Sequence, residues 1–328
     1  MPKTVKKIGV LTSGGDSPGM NAAIRSVVRT CAFHGIECVG IYRGYQGMIE
    51  GDFKEMGARS VNNIVNKGGT VLKSARSKEF MSPEGRKKAY DHLVKAGVDS
   101  LVVIGGDGSF TGALIFNKEF GFPVIGIPGT IDNDIFGTSH TLGYDTALNT
   151  VIEVIDKIRD TASSHNRLFF VEVMGRDAGH IALNAGIGAG AEEILIPEEN
   201  LGLDRLIESL QKSKASGKSS SIVVIAEGDK MGKTVFELKD YVDENMPEYD
   251  VRVSVLGHMQ RGGSPSCFDR VLASRLGVKA VESLLEGKTN FMAGILGDKI
   301  VLTPLEQAIK GSSEIDRELL RVSDIMST

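Results

Sequence analysis

The sequence predicts an α/β protein built on parallel β-sheets. Short apolar runs that end at Gly or Pro recur along the chain, and stretches with helical spacing of apolar residues lie between them. This alternation is typical of βαβ units with right-handed crossovers. The chain has 328 residues, of which 40 are glycine, so it is long enough for two domains and rich in the residue that tight βα turns use.

Each predicted element rests on a local pattern. Apolar runs predict strands at 8–11, 101–104, 124–128, 168–173, 194–196 and 221–226. A first helix is predicted to begin near Pro18, with Asp16 and Ser17 as capping candidates. A second starts at Ser82 with Pro83 in its first turn and ends at Gly97, and helical spacing predicts two more at 146–159 and 203–214.

Composition excludes several classes of function. The net charge is −4 and no basic tract is present, so we expect no nucleic-acid partner. Cys31, Cys38 and Cys267 are too scattered for a disulfide framework or a CxxC metal site. No apolar stretch approaches the length of a membrane span, and the apolar run at 8–11 is too short for a signal peptide. These features predict a cytoplasmic protein.

Two glycine-containing segments resemble nucleotide-binding motifs but lack the required context. Residues 186–191 fit G-x-G-x-x-A, yet a helical stretch precedes them and a predicted strand follows, which reverses the order found in dinucleotide-binding folds. We interpret this segment as a glycine-rich helix end, and the oxidoreductase that it would imply is a poor alternative. Residues 231–234 end like a Walker A loop, but Glu227 stands where the first Gly belongs, so we predict a surface loop.

Chemistry-bearing residues follow three of the predicted strands. Thr12 to Asp16 follow the first strand, Gly105 to Ser109 follow the strand at 101–104, and Gly129 to Asp134 follow the strand at 124–128. The carboxyl ends of parallel strands line the ligand crevice of an open α/β sheet. The glycines allow close approach to phosphate, Asp107 is a carboxylate suited to Mg²⁺, and Asp132 is suited to accept a proton from a hydroxyl. The combination indicates a kinase that acts on a small molecule.

These motifs closely resemble those of the phosphofructokinase family, specifically the bacterial ATP-dependent 6-phosphofructokinases, over nearly the whole chain. The resemblance implies two Rossmann-like three-layer α/β domains with mostly parallel sheets. It places an ATP-binding domain at 1–142 and 258–304 and a sugar-phosphate-binding domain at 143–257 and 305–328. It also implies the activity: transfer of the γ-phosphoryl group of ATP to the 1-hydroxyl of fructose 6-phosphate in glycolysis, with Mg²⁺, by a homotetramer.

The resemblance assigns the donor-binding residues one by one. In the family the turns matching Gly15 and 106–109 bind the ATP phosphates, and a basic residue matching Arg76 lies near them. The ATP-binding set is therefore Gly15, Arg76, Gly106, Asp107, Gly108 and Ser109, with Asp107 as the Mg²⁺ ligand. G-G-D-G-[ST] also occurs in NAD kinases and lipid kinases, and the alternative for Asp107 is a helix N-cap. What separates this chain from those kinases is Thr130-Ile131-Asp132.

The acceptor-binding residues are assigned in the same way. Asp132 matches the catalytic base, Thr130 a sugar-binding position, and Arg176 the residue that reaches the transferring phosphoryl group. His258 and Arg261, in a six-residue motif ending at Gly263, match residues on the sugar 6-phosphate. Two arginines are expected to reach that phosphate from an adjacent subunit. The full substrate-binding set is Thr130, Asp132, Arg167, Met174, Gly175, Arg176, Glu227, Arg252, His258 and Arg261, in which Arg167 and Arg252 are the two from the adjacent subunit.

Two alternatives remain within reach of this pattern. The first is a pyrophosphate-dependent phosphofructokinase, a branch that typically has Asp at the position of Gly108 and Lys at that of Gly129. Glycine at both positions favours ATP. The second is a non-catalytic nucleotide-sensing homologue, which the carboxylates Asp107 and Asp132 argue against.

The bacterial family also has an effector site between subunits, which binds ADP or phosphoenolpyruvate. The positions that match it are Arg25, Arg29, Arg159, Glu192 and Lys218. Other positions depart from the pattern, since an expected Arg at Ala58 is displaced to Arg59 and an expected Asp is Asn63. Each missing charge weakens a phosphate contact, so an effector pocket with an altered or lost response is the alternative.

Overall fold

The computed structural model describes residues 5–162, 167–199, 202–215, 221–228 and 234–326. The strands are β1 Lys7–Thr12, β2 Glu37–Ile41, β3 Phe53–Glu55, β4 Ser100–Gly105, β5 Val124–Pro128, β6 Arg167–Val173, β7 Glu193–Leu195, β8 Ser221–Ala226, β9 Asp250–Val255, β10 Phe291–Leu296 and β11 Lys299–Pro304. The helices are α1 Met20–Phe33, α2 Gly44–Glu50, α3 Pro83–Lys95, α4 Asp107–Phe120, α5 Tyr144–Ala162, α6 His180–Ala189, α7 Gly202–Ala215, α8 Val235–Asn245, α9 Cys267–Leu285, α10 Leu305–Lys310 and α11 Arg317–Met326. Two 3₁₀ helices cover Glu79–Met81 and Gly257–Arg261. None of the described helices is long and apolar enough to cross a membrane.

The chain forms two compact units. The first contains 1–131, 135–146 and 261–313, and the second contains 132–134, 147–260 and 314–328. The chain therefore passes between them several times, and one passage lies inside helix α5. The contacts divide the chain at 146, 261 and 313, whereas the resemblance placed the boundaries at 142, 258 and 304.

The first unit is a seven-stranded sheet with the order β11-β10-β5-β4-β1-β2-β3. Its five central strands are parallel, and β3 and β11 pair antiparallel at the edges. Successive residues of β4 point to opposite faces, so Val102 packs with the core under α1 and α9, while Leu101 and Val103 pack with the core under α2, α3 and α4. Helices thus cover both faces, which gives three layers.

The second unit is a four-stranded parallel sheet with the order β7-β8-β6-β9. Phe170, Val223 and Ile225 face the core that α7 and α8 cover. Ile194, on the adjacent strand β7, points to the other face of the sheet, where it lies against Gly186 of α6. This sheet too is covered by helices on both faces. The predicted fold class, α/β with mostly parallel sheets in two three-layer domains, is confirmed.

The start of α1 differs from the prediction. The helix begins at Met20, two residues after Pro18, and neither Asp16 nor Ser17 caps it. Its N-cap is Gly19, whose φ of 98° lies in the left-handed region, and the Ser17 carbonyl accepts from Met20 N–H at 3.3 Å to close a turn. The capping prediction for this helix is therefore wrong, because Pro18 and Gly19 form a turn before the helix begins.

The predictions for the helix start at Ser82 and for residues 186–191 are confirmed. Ser82 caps α3 by accepting from Gly85 N–H at 3.0 Å, with Pro83 at the first position. The segment resembling a dinucleotide motif is the end of α6, where Gly190 in the left-handed conformation is the C-cap. Residues 231–233 lie outside the described part of the chain, and Thr234 forms a capping box with Glu237 at the start of α8.

Candidate active site

Three adjacent strands of the first unit end at one edge of its sheet. β1 ends at Thr12, β4 at Gly105 and β5 at Pro128, and β4 lies between the other two. The turns that follow are bonded to these strand ends: Ser13 N–H donates to Ile104 O at 2.9 Å, and Gly129 N–H donates to Gly105 O at 3.0 Å. Because β1 has β2 on one side and β4 on the other, this edge is also the switch point of the sheet, where ligands bind in open α/β folds.

The glycines of these turns have different surroundings. A Cβ on Gly105 would lie 2.5 Å from Ser13 O and from Ser109 Oγ, and a Cβ on Gly15 would lie 2.8 Å from Arg261 Nη1. Gly108 differs, because it is exposed and its Cβ position has no atom within 4 Å. The first two allow close packing of the turns, while Gly108 borders open space in front of them.

Asp107 is the first residue of α4, and Gly106 is its N-cap. The alternative that Asp107 is itself the N-cap is therefore wrong. Its carboxylate lies at the positive end of the helix dipole, where negative charge is stabilised. No group of three or more His, Cys, Asp or Glu side chains in the described ranges could hold a metal. A single carboxylate still fits Mg²⁺, which proteins commonly bind through one or two carboxylates together with substrate phosphates and water.

Two further residues flank these turns. Thr12 Oγ1 donates to Lys73 O at 3.0 Å, which ties the segment carrying the exposed Arg76 to the end of β1. The phenol of Tyr45, a residue on α2, donates to Ser109 O at 2.5 Å. Tyr45 was missed by the sequence reasoning because no motif marks it and the contact joins residues far apart in the chain. It supports the first turn of α4.

The β5 turn carries the predicted base. Thr130 is buried and its carbonyl accepts from Thr141 Oγ1 at 2.6 Å, while Leu142 N–H donates to Pro128 O at 2.8 Å. These bonds close a loop from 129 to 143. Asp132 within it is 2% exposed.

Strand ends also meet in the second unit. Met174, Gly175 and Arg176 follow β6, and Glu227 follows the neighbouring β8. Glu227 Oε1 accepts from Arg176 N–H at 2.9 Å and from Gly175 N–H at 3.3 Å. Arg176 has a φ of 55°, an uncommon backbone conformation for a residue with a side chain. Glu227 therefore holds the β6 turn in the conformation that Arg176 adopts.

Gln260 supports the same turn from the other side. It is fully buried, its Oε1 accepts from Met174 N–H at 3.2 Å, and its Nε2 donates to Gly257 O at 3.1 Å. Sequence reasoning named its motif neighbours His258 and Arg261 but not Gln260. Its place inside the same motif was the available signal. A buried amide with both ends bonded is a structural link between the β6 turn and the 3₁₀ helix.

The structure brings Arg176 to Asp132. Arg176 Nη2 lies 3.8 Å from Asp132 Oδ2, and both residues belong to the second unit. The Arg176 side chain is 64% exposed and the Asp132 side chain 2%. The buried Asp132 carboxylate, which can accept a proton, thus lies beside the Arg176 guanidinium, which is exposed enough to bind a ligand from solvent. His258 is also exposed in this unit, whereas Arg261 lies in the first unit, where Nη1 donates to Asp16 O at 3.3 Å.

Arg167 and Arg252 lie elsewhere. Both bind Asp250 Oδ2, Arg167 Nε at 3.3 Å and Arg252 Nη2 at 2.9 Å. Arg167 is the first residue of β6, six residues before Val173, so it lies roughly 20 Å along the strand from the β6 turn. The structure does not bring these two arginines to the Met174 turn of their own chain.

The predicted effector residues fall into separate places. Arg25 and Arg29 lie on α1 in the first unit, where Arg29 Nη2 donates to Asn62 Oδ1 at 3.4 Å. In the second unit Arg159 Nη2 donates to the carbonyls of Ala189 at 2.8 Å and Gly190 at 2.7 Å, and its Nη1 lies 3.8 Å from Glu192. Lys218 lies outside the described residues.

The chain is similar to several known proteins. A sequence profile of the family described as "Phosphofructokinase" matches residues 7–284. The chain is 54% identical over 319 residues to "ATP-dependent 6-phosphofructokinase 2" of Bacteroides thetaiotaomicron, covering 97% of this chain and 98% of that protein. It is 53% identical over 323 residues to "ATP-dependent 6-phosphofructokinase 1" of Thermus thermophilus, covering 98% and 100%. The solved structure of phosphofructokinase from Saccharomyces cerevisiae superposes with a TM-score of 0.89 at 40% identity, covering 93% of this chain and 45% of that one.

One carboxylate beneath the second unit's strand ends has a shifted pKa. Burial raises the pKa of Glu172 above its ordinary value of 4.5, and the negative charge of Glu227 raises it further. The folded state therefore holds this proton more tightly than the unfolded state does. The stability that results is fully present at a pH below the pKa of Glu172 in the unfolded state. It is lost as pH rises through the pKa of Glu172 in the folded state.

Replacing Glu172 by Gln should remove this loss of folding stability at high pH, because Gln carries no titratable proton. We expect the melting temperature of Glu172→Gln to exceed that of the unmodified protein at pH 8, with the difference closing as pH falls toward about 4.5. Melting curves across that range measure it. Glu153→Gln is the control, because Lys157 lowers the pKa of this exposed carboxylate and its removal should not raise the melting temperature at pH 8. A difference that stays constant with pH would contradict the assignment.

Proposed function

Because this chain belongs to the phosphofructokinase family, we propose that it is an ATP-dependent 6-phosphofructokinase. It transfers the γ-phosphoryl group of ATP to the 1-hydroxyl of fructose 6-phosphate and produces fructose 1,6-bisphosphate and ADP in the cytoplasm. The observation that carries the proposal is the pairing of the buried Asp132 carboxylate with Arg176, 3.8 Å apart. One is a proton acceptor for an attacking hydroxyl, and the other is a cation for the phosphoryl group that it attacks.

The first unit binds the donor. Backbone N–H groups of the β1 and β4 turns face the phosphates, since glycine permits close approach at Gly15 and Gly106, and Ser109 and Arg76 add a hydroxyl and a charge. Gly108 borders the open space in which we place the donor. Asp107 would hold Mg²⁺, which when bound neutralises the negative charge of the donor phosphates.

ATP as the donor is supported at two glycine positions. A Cβ on Gly129 would lie 3.1 Å from Ile104 Cγ2 and from Met20 Cε, so the lysine of the pyrophosphate-dependent branch would not fit without displacing core side chains. An aspartate at Gly108 would enter the open space beside the β4 turn. Both positions suit a nucleotide donor.

The acceptor binds beside Asp132 and Arg176, and Asp132 removes its proton. Asp132 takes the proton of the 1-hydroxyl, and the oxygen forms a bond to the γ-phosphorus while the bond to the β-phosphate oxygen breaks and ADP leaves. Arg176 stabilises the charge on the transferring group, and Thr130 positions the sugar. Both bonds that Glu227 makes to the β6 turn use Oε1, so we assign Oε2 to a sugar hydroxyl. The backbone of Met174 and Gly175 completes the sugar pocket.

The sugar 6-phosphate is bound by His258 and Arg261, and by Arg167 and Arg252 of an adjacent copy. The position of the last two, near the opposite end of β6 from the Met174 turn, supports a role toward another chain. We therefore propose a homotetramer in which sites are shared between subunits. Binding of ADP or phosphoenolpyruvate at Arg25, Arg29, Arg159, Glu192 and Lys218 stays a prediction.

A coupled assay for fructose 1,6-bisphosphate tests the function. Fructose 6-phosphate is supplied with MgATP in one reaction and with pyrophosphate in a parallel one. We expect turnover with ATP and little with pyrophosphate. Faster turnover with pyrophosphate would favour the other branch of the family, and no turnover with either donor, in protein that binds ATP, would favour a sensor.

Replacing Asp132 by Asn tests the base. General base catalysis contributes roughly 10²–10⁴-fold, so kcat should fall by that order while the KM values change little. Asp156→Asn, which makes the same charge change on the exposed face of α5, is the control and should keep full kcat. Near-normal kcat in Asp132→Asn would end the assignment.

Mixing two impaired variants tests whether the site is shared. Arg252→Ala alone should raise KM for fructose 6-phosphate far more than KM for ATP, because a charge-assisted bond to phosphate contributes about 1.5–3 kcal/mol. When Arg252→Ala chains exchange with Asp132→Asn chains, some sites carry neither lesion and activity should partly return. No recovery despite verified subunit exchange would mean that each chain builds its site alone.

A further inference from the structure

Asp269 is a buried carboxylate of the first unit that the proposed reaction does not use. It lies in the first turn of α9 and is fully buried. In the described part of the chain no Lys, Arg or His forms an ion pair with it. Burial raises its pKa, and hydrogen bonds from Thr146 and Gly143 act in the opposite direction. A buried acid without a cation is costly, so its hydrogen bonds indicate what it does.

The carboxylate of Asp269 accepts three hydrogen bonds, and all three come from the start of α5. Asp269 Oδ1 accepts from Gly143 N–H at 2.9 Å, and Oδ2 accepts from Thr146 N–H at 2.9 Å and Thr146 Oγ1 at 2.5 Å. The first N–H groups of a helix have no partner within the helix. Asp269 therefore caps α5 from another helix, 123 residues away in the chain from Thr146.

The start of α9 is bonded back to α5. Ser266 N–H donates to Thr146 Oγ1 at 2.9 Å, and Ser266 Oγ accepts from Asp269 N–H at 3.1 Å. The Thr146 hydroxyl thus accepts a hydrogen bond from Ser266, the N-cap of α9, and donates one to Asp269 in the first turn of α9. The two helix starts are locked to each other through Thr146 and Asp269.

A third helix begins at the same point. A Cβ on Gly19, the N-cap of α1, would lie 3.6 Å from Asp269 Cβ, and one on Gly143 would lie 2.7 Å from Ser17 Cβ. Both glycines have positive φ, 98° and 99°. The starts of α1, α5 and α9 therefore converge around Asp269, whose carboxylate accepts its bonds from the start of α5.

The residue capped by Asp269 Oδ1 closes the 129–143 loop. That loop leaves β5 at Gly129, carries Thr130 and Asp132, and returns to Gly143. Near its two ends the chain is bonded to itself by Thr141 Oγ1 to Thr130 O and by Leu142 N–H to Pro128 O. A shift of Gly143 therefore moves Thr141 and Leu142, the two residues before it, and their hydrogen bonds carry the movement to Thr130 and to the end of β5.

We propose that Asp269 is a positioning residue for phosphoryl transfer, which fixes the 129–143 loop by capping α5 and touches neither substrate. The role rests on the proposed function, since it is through Thr130 and Asp132 that it acts. Its loss removes the acceptor of these three hydrogen bonds and lets Gly143 relax. A displacement of about 1 Å in a reacting geometry can lower a rate by roughly 10²-fold.

The test compares four variants. Asp269→Asn keeps the shape but turns an NH₂ group toward N–H and O–H donors. Thr146→Val removes the hydroxyl that links both helix starts, and Thr146→Ser retains it. Leu272→Ala, in the core on the same helix, lowers stability without touching these bonds. Each is assayed for kcat, for both KM values and for melting temperature.

We expect Asp269→Asn and Thr146→Val to lower kcat about 10- to 100-fold while KM for ATP stays within about threefold. Thr146→Ser should restore kcat to near the unmodified value. Leu272→Ala should lose melting temperature with kcat unchanged at a temperature where all variants are folded. Equal kcat loss in Leu272→Ala at equal loss of melting temperature, or unchanged kcat in both Asp269→Asn and Thr146→Val, would overturn the proposal.

Hydrogen–deuterium exchange separates this proposal from the proposed function. Peptides covering 129–146 should exchange faster in Asp269→Asn and Thr146→Val than in Leu272→Ala and Thr146→Ser. If the unmodified protein fails to phosphorylate fructose 6-phosphate, the function is wrong while the exchange result still reports on the loop. If the protein is active and exchange in 129–146 is unaltered by Asp269→Asn and Thr146→Val, the positioning role is wrong.

Discussion

Parallel pairing of neighbouring strands decides where the chemistry of this chain can lie. Thr12 pairs with Ile104, and Gly105 pairs with Pro128, so β1, β4 and β5 end almost level with one another. The turns that follow are therefore adjacent although they come from residues more than a hundred positions apart. The second unit obeys the same constraint, since Val173 pairs with Ala226 and the turns after β6 and β8 meet through Glu227. Polar residues at these strand ends are collected by the register of the sheets.

Much of this arrangement could be predicted from the sequence, because strand ends are local signals. Asp107 and Asp132 each follow a short apolar run closed by Gly or Pro, and parallel topology then places both at the carboxyl ends of strands in one sheet. The start of α1 could not be read in the same way. Its turn depends on Gly19 in the left-handed conformation and on Gly143 packing against Ser17, a contact that no local pattern announces.

The supporting residues were harder to predict for the same physical reason. The bond from Tyr45 to Ser109 spans 64 positions, that from Met174 to Gln260 spans 86, and that from Thr146 to Asp269 spans 123. Each joins a side chain to backbone, so no charge partner or spacing in the sequence identifies it. Residues that touch ligands fall in motifs because chemistry restricts their type, whereas residues that hold the motifs are restricted only by what the fold brings beside them.

Arg167 and Arg252 lie at the end of β6 and β9 that is remote from the Met174 turn. Arg167 and Arg252 share the single carboxylate of Asp250, which orients both guanidinium groups and leaves one positive charge in excess. Their distance from the Met174 turn follows from strand geometry alone, so no side-chain movement within the chain can bring Arg167 there. An excess positive charge with a planar, fork-shaped donor is suited to a phosphate on a neighbouring molecule. Strand length, which keeps these arginines away from their own turn, is thus the physical argument for the proposal that they serve an adjacent copy.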